Sequence, residues 1–547
     1  MRGARLALVA LAACAAARAV AQAAPLPADL DRFYSAPSLI GTAPRPPVWS
    51  PRGDRLAFLW NTDGTNFLDV YVTDTTGAAP VRVTRFPRPS VPAGESTAWA
   101  TQRAALAAEL DGGVTATAWH PDGTRLLVTF RGDLWLAATG REPIRLTATH
   151  AAESRAAFAP GARGDSAVLA FVREGDLWVA TLRGDSLGAA RRLTALAKDG
   201  VGVERVEWAP SGAQLAIVEV DRTGIRTRGI PDYLGEETVM PMIRRAMPGE
   251  DSEHRRVGLV TLADGAVQWL PIEGAPTDVL HGFAWSPDGT RLAIDWSDVF
   301  VKDRRLLVAE ASTQAVRVLV REQEPGNVSA EWQVAWAPDG RGVYFTSDRV
   351  SDYHVWYAPL DGRAPRAITQ GTFAVFSFTV TPRGIVAVVN AGRPEERQVA
   401  LVPLAGGALT VRTTRAGTHT PTVSPDGRRL ADLFSSDSVP PDLWLVDLAG
   451  REARTQRVTT SPRPEFARYR FTAPRYVTFP SRADGATLHA RVLLPPGYVA
   501  GRRYPVIVGS SYSNTARNQW GGRNAHPLWG LDQVLLERGY VLIGIDV

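Results

Sequence analysis

The strongest constraint on this chain is a repeat: Trp, any residue, Pro, any residue, Gly, and then a β-rich run. It stands as Trp49-Ser50-Pro51-Arg52-Gly53, Trp119-His120-Pro121-Asp122-Gly123, Trp208-Ala209-Pro210-Ser211-Gly212, Trp285-Ser286-Pro287-Asp288-Gly289 and Trp336-Ala337-Pro338-Asp339-Gly340. Degenerate copies start at Phe158, Val380 and Val423, the last keeping Ser424-Pro425-Asp426-Gly427. The eight starts are separated by 70, 39, 50, 77, 51, 44 and 43 residues. Most of these match one four-stranded propeller blade of about 40–50 residues. The Pro-Asp-Gly step is a tight turn: Pro fixes φ, Asp bonds the backbone and Gly takes positive φ. Runs after it, such as Arg291-Leu292-Ala293-Ile294, can pack between blades. One blade cannot cover its own faces, so the repeat predicts an all-β propeller of eight blades, with the tryptophans as blade packing.

Two further signals recur inside the repeats. One is Asp133-Leu134-Trp135-Leu136, with relatives at Asp69, Asp176, His354 and Asp442. The other is Arg145-Leu146-Thr147, with relatives at Arg192, Ala367 and Arg457. Two spacings are long. The first holds an alanine-rich stretch, Ser96 to Leu110, that reads as an inserted helix. The fourth holds a long insertion from Asp221 to Glu253.

At 547 residues, 45% hydrophobic and 21% charged, the chain suits two or three soluble domains. The start Met1-Arg2-Gly3-Ala4-Arg5, an apolar run to Ala17 and the sites Ala19-Val20-Ala21 and Ala21-Gln22-Ala23 read as a secretory leader, 1–23. Leu11-Ala12-Ala13-Cys14 also fits a bacterial lipobox, which would make a membrane anchor of an acylated Cys14. Cleavage after Ala21 or Ala23 would remove this single cysteine and exclude thiol chemistry. Without Arg2, Arg5 and Arg18, 58 basic residues face 56 acidic ones. No basic run forms a stripe, so nucleic-acid binding is not supported.

After about Pro462 the texture changes. Arg475 to Pro480 and Leu488 to Leu494 read as strands joined at Asp484-Gly485. Tyr504 to Val508 reads as a buried strand, Leu528 to Arg538 as a helix and Val541 to Asp546 as another buried strand. That order opens an α/β sheet. The expected organisation is a leader at 1–23, a lead-in at 24–45, the propeller at 46–465 and an incomplete α/β-hydrolase domain at 466–547.

Together these features resemble the prolyl oligopeptidase family of serine peptidases, its dipeptidyl peptidase IV branch most nearly. The lead-in Phe33-Tyr34-Ser35-Ala36-Pro37-Ser38-Leu39-Ile40-Gly41, the eight blades and the segment Leu488 to Asp546 carry the resemblance. It implies an exported, secreted or periplasmic serine exopeptidase that releases short N-terminal peptides, with proline or alanine before the cut bond. It implies peptide substrates, no cofactor and a homodimer as one arrangement. It also implies that the catalytic Ser, Asp and His lie beyond residue 547, which would leave this chain inactive alone. TolB-type propellers carry similar repeats, so a non-catalytic periplasmic binding protein is the competing reading.

The resemblance also points to site residues. A tyrosine just after the Tyr504–Val508 strand, Tyr512, would donate its hydroxyl to the oxyanion; the plainer reading is an exposed loop tyrosine. Glu236 and Glu237 match the acidic pair that holds a substrate's free ammonium by charge-assisted bonds. The family's pair precedes a W-x-P-x-G strand, whereas this one follows Trp208; the plainer reading is a solvated acidic loop. Gly184-Asp185-Ser186-Leu187-Gly188 fits a G-x-S-x-G string, but it lies between two strand signals and reads as a hairpin turn. The eight histidines show no metal-binding spacing, so no metal is expected.

Overall fold

The protein is described by a computed structural model. The described residues are 26–88, 110–161, 164–233, 237–326, 328, 333–350, 352–449, 454–510, 516–521 and 529–546. The leader with Cys14, the helix expected from Ser96, Glu236 and Tyr512 lie outside them, Leu110 excepted.

Eight antiparallel sheets follow one another along the chain, at 48–82, 114–145, 153–192, 201–269, 279–323, 334–367, 375–411 and 418–457. Each runs first to fourth strand in sequence order; blade III adds a short extra strand, Ser186–Leu187. These are blades I to VIII of a propeller. Each repeat tryptophan ends a first strand, and its turn leads into the second. Gly289 shows why the turn needs glycine: its φ is +70°, a backbone conformation that residues with a Cβ rarely adopt. First strands touch one another between blades I and II, II and III, V and VI, VI and VII, and VIII and I, which places the first strands around the axis of the ring.

Packing between blades is apolar. Leu292 and Ile294 of blade V bury against Ala216 and Val218 of blade IV. The ring closes the same way: Trp49, Leu56 and Phe58 of blade I share a core with Leu443 and Leu445 of blade VIII. A fully buried Leu or Phe contributes about 1.5–3 kcal/mol by leaving water. A polar latch accompanies this packing. The indole Nε1–H of Trp119 donates to the Val48 carbonyl of blade I at 2.9 Å. Trp208 reaches Ala157 at 3.1 Å, Trp285 reaches Glu207 at 3.3 Å and Trp336 reaches Ala284 at 2.8 Å. In each case the acceptor belongs to the residue just before the equivalent position in the preceding blade.

The two lesser sequence signals turn out to be halves of one clip. The aspartate opens the third strand in blades I, II and III and lies inside it in blade VIII, and the threonine follows the fourth. In blade VIII, Thr459 Oγ1 donates to Asp442 Oδ1 at 2.7 Å and accepts from the Leu443 N–H at 2.9 Å. Blades I and III repeat this with Asp69–Thr84 and Asp176–Thr194 at 2.8 and 2.9 Å. Blade VI puts His354 against Thr369 instead, and blade VII Gln398 against Thr413. The hydroxyl replaces a backbone acceptor where the short fourth strand has ended.

The C-terminal strands Arg475–Pro480, Thr487–Leu493, Val541–Asp546 and Val506–Ser510 pair in that spatial order. The last two are parallel, Val506 opposite Val541 through Ser510 opposite Ile545. Helix Trp529–Glu537 connects them and buries Leu536 against Leu493 and Leu542. Mixed sheet and crossover helix are the opening of an α/β unit.

Candidate functional site

The C-terminal sheet is tied to one face of the ring, the face that carries the loops between second and third strands. Asp437, at that loop in blade VIII, is the centre of the tie. It accepts from the Tyr476 hydroxyl at 2.6 Å and from Arg491 Nε and Nη2 at 3.2 and 3.1 Å. Its own N–H donates to Asn518 Oδ1 at 3.0 Å. Asn518 accepts from Thr418 Oγ1 at 3.0 Å and donates to the Glu395 carbonyl of blade VII at 2.8 Å. Burial pushes the Asp437 carboxyl up, and the Arg491 guanidinium only partly offsets this. Burial, followed by the nearby Asp437 charge, also holds the Tyr476 hydroxyl well above its usual range.

The chain's beginning is stitched to the same C-terminal part. Arg32 forks onto Glu465 at 2.9–3.0 Å, the Ala28 N–H donates to Glu537 at 2.9 Å, and the Phe33 ring lies 5.4 Å from Tyr469.

Blade IV raises an arm from this face. Its second and third strands, Gln214–Asp221 and His254–Thr261, are joined by a hairpin of Thr227–Gly229 and Met242–Arg244. Glu237 lies on this arm and is exposed; its neighbour Glu236 is outside the described residues. At the arm's root is a cluster that sequence reasoning missed. Glu204 occupies a β-bulge, where the pairing of the first strand slips between Val203 and Arg205. A bulge frees a residue from the ladder and re-aims its side chain. Glu204 Oε2 accepts from Arg255 Nε at 2.8 Å and Oε1 from Arg222 Nη2 at 3.0 Å. Glu253 closes the square through Arg222 Nε at 2.6 Å and through Arg255. Bonding to Arg255 draws the Glu204 carboxyl down against the effect of burial. At Glu253 burial is the larger single influence, and the two arginines together still bring it below its usual value. Two carboxylates against two guanidiniums make a neutral square, so the cluster braces the arm. Glu204 stands 18 and 51 residues from its two arginines, a separation that no local motif signals.

The strand before Tyr512 ends at Ser510, beside Ile545 of its parallel neighbour. The ends of parallel strands are where α/β sheets place ligands. Asn518, downstream of that strand, is anchored on blades VII and VIII. Ser186 lies in the hairpin expected of it: Leu182 pairs with Leu187 and Arg183 with Ser186, across a turn at Gly184-Asp185. No strand-to-helix elbow surrounds it.

An eight-bladed ring carrying an α/β sheet on one face defines a propeller-plus-hydrolase architecture. Residues 129–441 match the family model described as the dipeptidyl peptidase IV (DPP IV) N-terminal region. The chain belongs to this family. A probable dipeptidyl peptidase 4 of Aspergillus flavus is 23% identical over 375 residues, covering 62% of this chain and 48% of the relative. Dipeptidyl-peptidase 5 of Porphyromonas gingivalis is 22% identical over 349 residues, covering 62% of this chain and 39% of the relative. The chain thus spans about half the length, or less, of these relatives. The crystal structure of Porphyromonas gingivalis dipeptidyl peptidase 4 superposes with a TM-score of 0.74 at 15% identity, covering 96% of this chain and 74% of that one.

Proposed function

We propose that this chain forms the access-controlling part of an exported serine exopeptidase that releases short peptides from free amino termini, with proline or alanine before the cut bond. The observation that carries this reading is the tie of Asp437 to Tyr476 and Arg491, which seats an α/β sheet on the same ring face as the blade IV arm. A propeller used only for binding has no need of such a sheet, which favours the enzymatic reading over a TolB-like one. Membership of the dipeptidyl peptidase IV N-terminal family supports the substrate class.

In this reading a peptide lies between ring and sheet. The ring screens out folded proteins. Glu236 and Glu237 receive the substrate ammonium through charge-assisted hydrogen bonds, which measure how many residues precede the cut. The Tyr512 hydroxyl donates to the carbonyl oxygen as negative charge develops on it during attack by a serine nucleophile.

The test is an assay of the full-length protein encoded by its gene, on fluorogenic Gly-Pro and Ala-Ala amides and on their N-acetylated forms. Turnover of the free-amine substrates alone, abolished by a serine-directed phosphonate, is expected. Equal turnover of the acetylated substrates, or none of either, would overturn the reading.

A further inference from the structure

The second residue of the repeat is serine, alanine or threonine in seven blades and histidine in blade II, at His120. Where it is serine the turn closes on itself: Ser286 Oγ donates to Asp288 at 2.6 Å and accepts from the Arg291 N–H at 2.9 Å. His120 is fully buried instead, its ring edge to face with Phe158 of blade III at 4.9 Å.

The two ring nitrogens meet opposite charges. Nδ1 lies 2.9 Å from Asp122 Oδ2 and 3.1 Å from the Asp122 amide nitrogen. Nε2 lies 3.3 Å from Arg125 Nη2. A guanidinium only donates, so Nε2 has to accept. The single proton of the neutral ring then stands on Nδ1 and points to the carboxylate. The other tautomer would set N–H against N–H.

Arg125 is the strap across the seam between blades II and III. Its Nη1 donates to the Gly184 carbonyl at 2.5 Å and its Nη2 pairs with Asp165 at 3.0 Å, both in blade III. Its Nε holds Asp122 Oδ2 at 2.7 Å. Asp185 stands 3.7 Å from Nη1 and is bound by Arg141 at 2.6 Å. The charged groups facing His120 are thus Asp122 and Arg125 from its own blade and Asp165 across the seam. Burial draws the imidazole below its ordinary 6.5; the Asp122 charge opposes this and the Arg125 charge adds to it.

We infer that His120 is an acid-sensitive lock on this seam: neutral, it accepts from Arg125 and holds the strap in place; protonated on Nε2, it turns an N–H towards the guanidinium and pushes Arg125 off the seam. The device lies on the ring face away from the C-terminal sheet and is independent of the peptidase reading. Because the folded protein resists this proton, the stability it contributes is present above about 6.5 and is lost as pH falls below that value.

Thermal unfolding of the parent and of His120→Ser, the residue blade V uses, tests this between about pH 7.5 and 5. The midpoint of the parent minus that of the variant should fall by about 1–3 °C on acidification. Deuterium uptake at residues 184–188, corrected for the pH dependence of exchange itself, should rise about 3-fold or more in the parent at the acid end and stay level in the variant. Arg125→Leu keeps the histidine and removes the cation, so its own acid loss should be smaller than the parent's. Circular dichroism checks folding; if His120→Ser does not fold, Arg125→Leu and the uptake of the parent decide. The lock is refuted by a midpoint difference that stays constant or grows on acidification, by uptake at 184–188 that does not change with pH in the parent, or by an undiminished acid loss in Arg125→Leu.

Discussion

The indole Nε1–H of Trp49 donates to the carbonyl oxygen of Thr422 at 2.9 Å, across 373 residues of sequence. It is the same latch that joins blade II to I and blade VI to V, used here to join blade I to blade VIII. No strand is exchanged at the closure, since blade I is built wholly from 48–82 and blade VIII wholly from 418–457. The ring is therefore held shut by side chains: the shared apolar core, this hydrogen bond and a further one from Gln456 Nε2 to the Gly77 carbonyl at 3.1 Å.

Trp49→Phe keeps an aromatic ring in that core and removes the donor. It should lower stability by about 1–2 kcal/mol, because a half-buried carbonyl loses the indole donor. The contrast is Trp178→Phe in blade III. The Trp178 Nε1–H is buried and has no acceptor, so deleting it should leave stability unchanged or raise it. Thermal unfolding midpoints of the two variants against the parent decide it. Equal losses would mean that ring volume alone matters.

The aspartate–threonine clip gives a second contrast. Thr459→Val preserves shape but strips the hydroxyl that serves both Asp442 and the Leu443 N–H. The loss should be about 1–3 kcal/mol. Thr459→Ser keeps the hydroxyl and loses one methyl, so it should recover most of that stability. Chemical denaturation of both variants measures the difference, and equal destabilisation by the two would assign the effect to packing.

Much of the ring was legible in the sequence because its signals are local. A Pro-x-Gly turn constrains its own φ angles, so the starts at Trp49, Trp119, Trp208, Trp285 and Trp336 each mark the end of a first strand. Even the degenerate starts at Phe158, Val380 and Val423 fall in first strands. What stayed hidden needs partners distant in the chain. Asp442 and Thr459 were visible as separate signals, but their bond crosses from one strand to the next. Glu204 gave no sign, because its role depends on a bulge and on Arg255, 51 residues on. Asp437 gave none either: only the seating of the sheet sets Tyr476 and Arg491 against it.

Asp437 makes the seating of the sheet respond to pH, and the sign is unusual for a paired carboxylate. Burial raises its folded pKa above the ordinary 3.8, so the folded protein holds this proton more tightly than the unfolded chain does. Stability from this group is therefore gained as pH falls through the window just above 3.8 and is lost as pH rises through it. Asp437→Asn removes the titration while keeping an acceptor for Tyr476 and Arg491. The unfolding temperature of the parent minus that of the variant should grow as pH is lowered from about 7 towards 4, where an ordinary aspartate titrates. A difference that shrinks on acidification would show that the Arg491 attraction outweighs burial.

The proposed chemistry makes separate demands on Tyr512 and on the glutamates, and kinetics of the full-length protein can tell them apart. A group that meets the oxyanion acts only as charge develops. Tyr512→Phe should therefore lower kcat by about 100-fold or more with little change in KM. Glu236→Gln and Glu237→Gln would weaken the hold on the substrate ammonium before any bond is broken. They should raise KM for Gly-Pro amides about 10-fold, with kcat changed less. Glu204→Gln serves as the control. Its carboxylate is committed to Arg222 and Arg255, so its loss should destabilise the arm without a selective effect on KM. If Glu204→Gln alone raised KM while both arm variants stayed at the parent value, the acid that reads the amino terminus would lie at the bulge of the first strand and not on the arm.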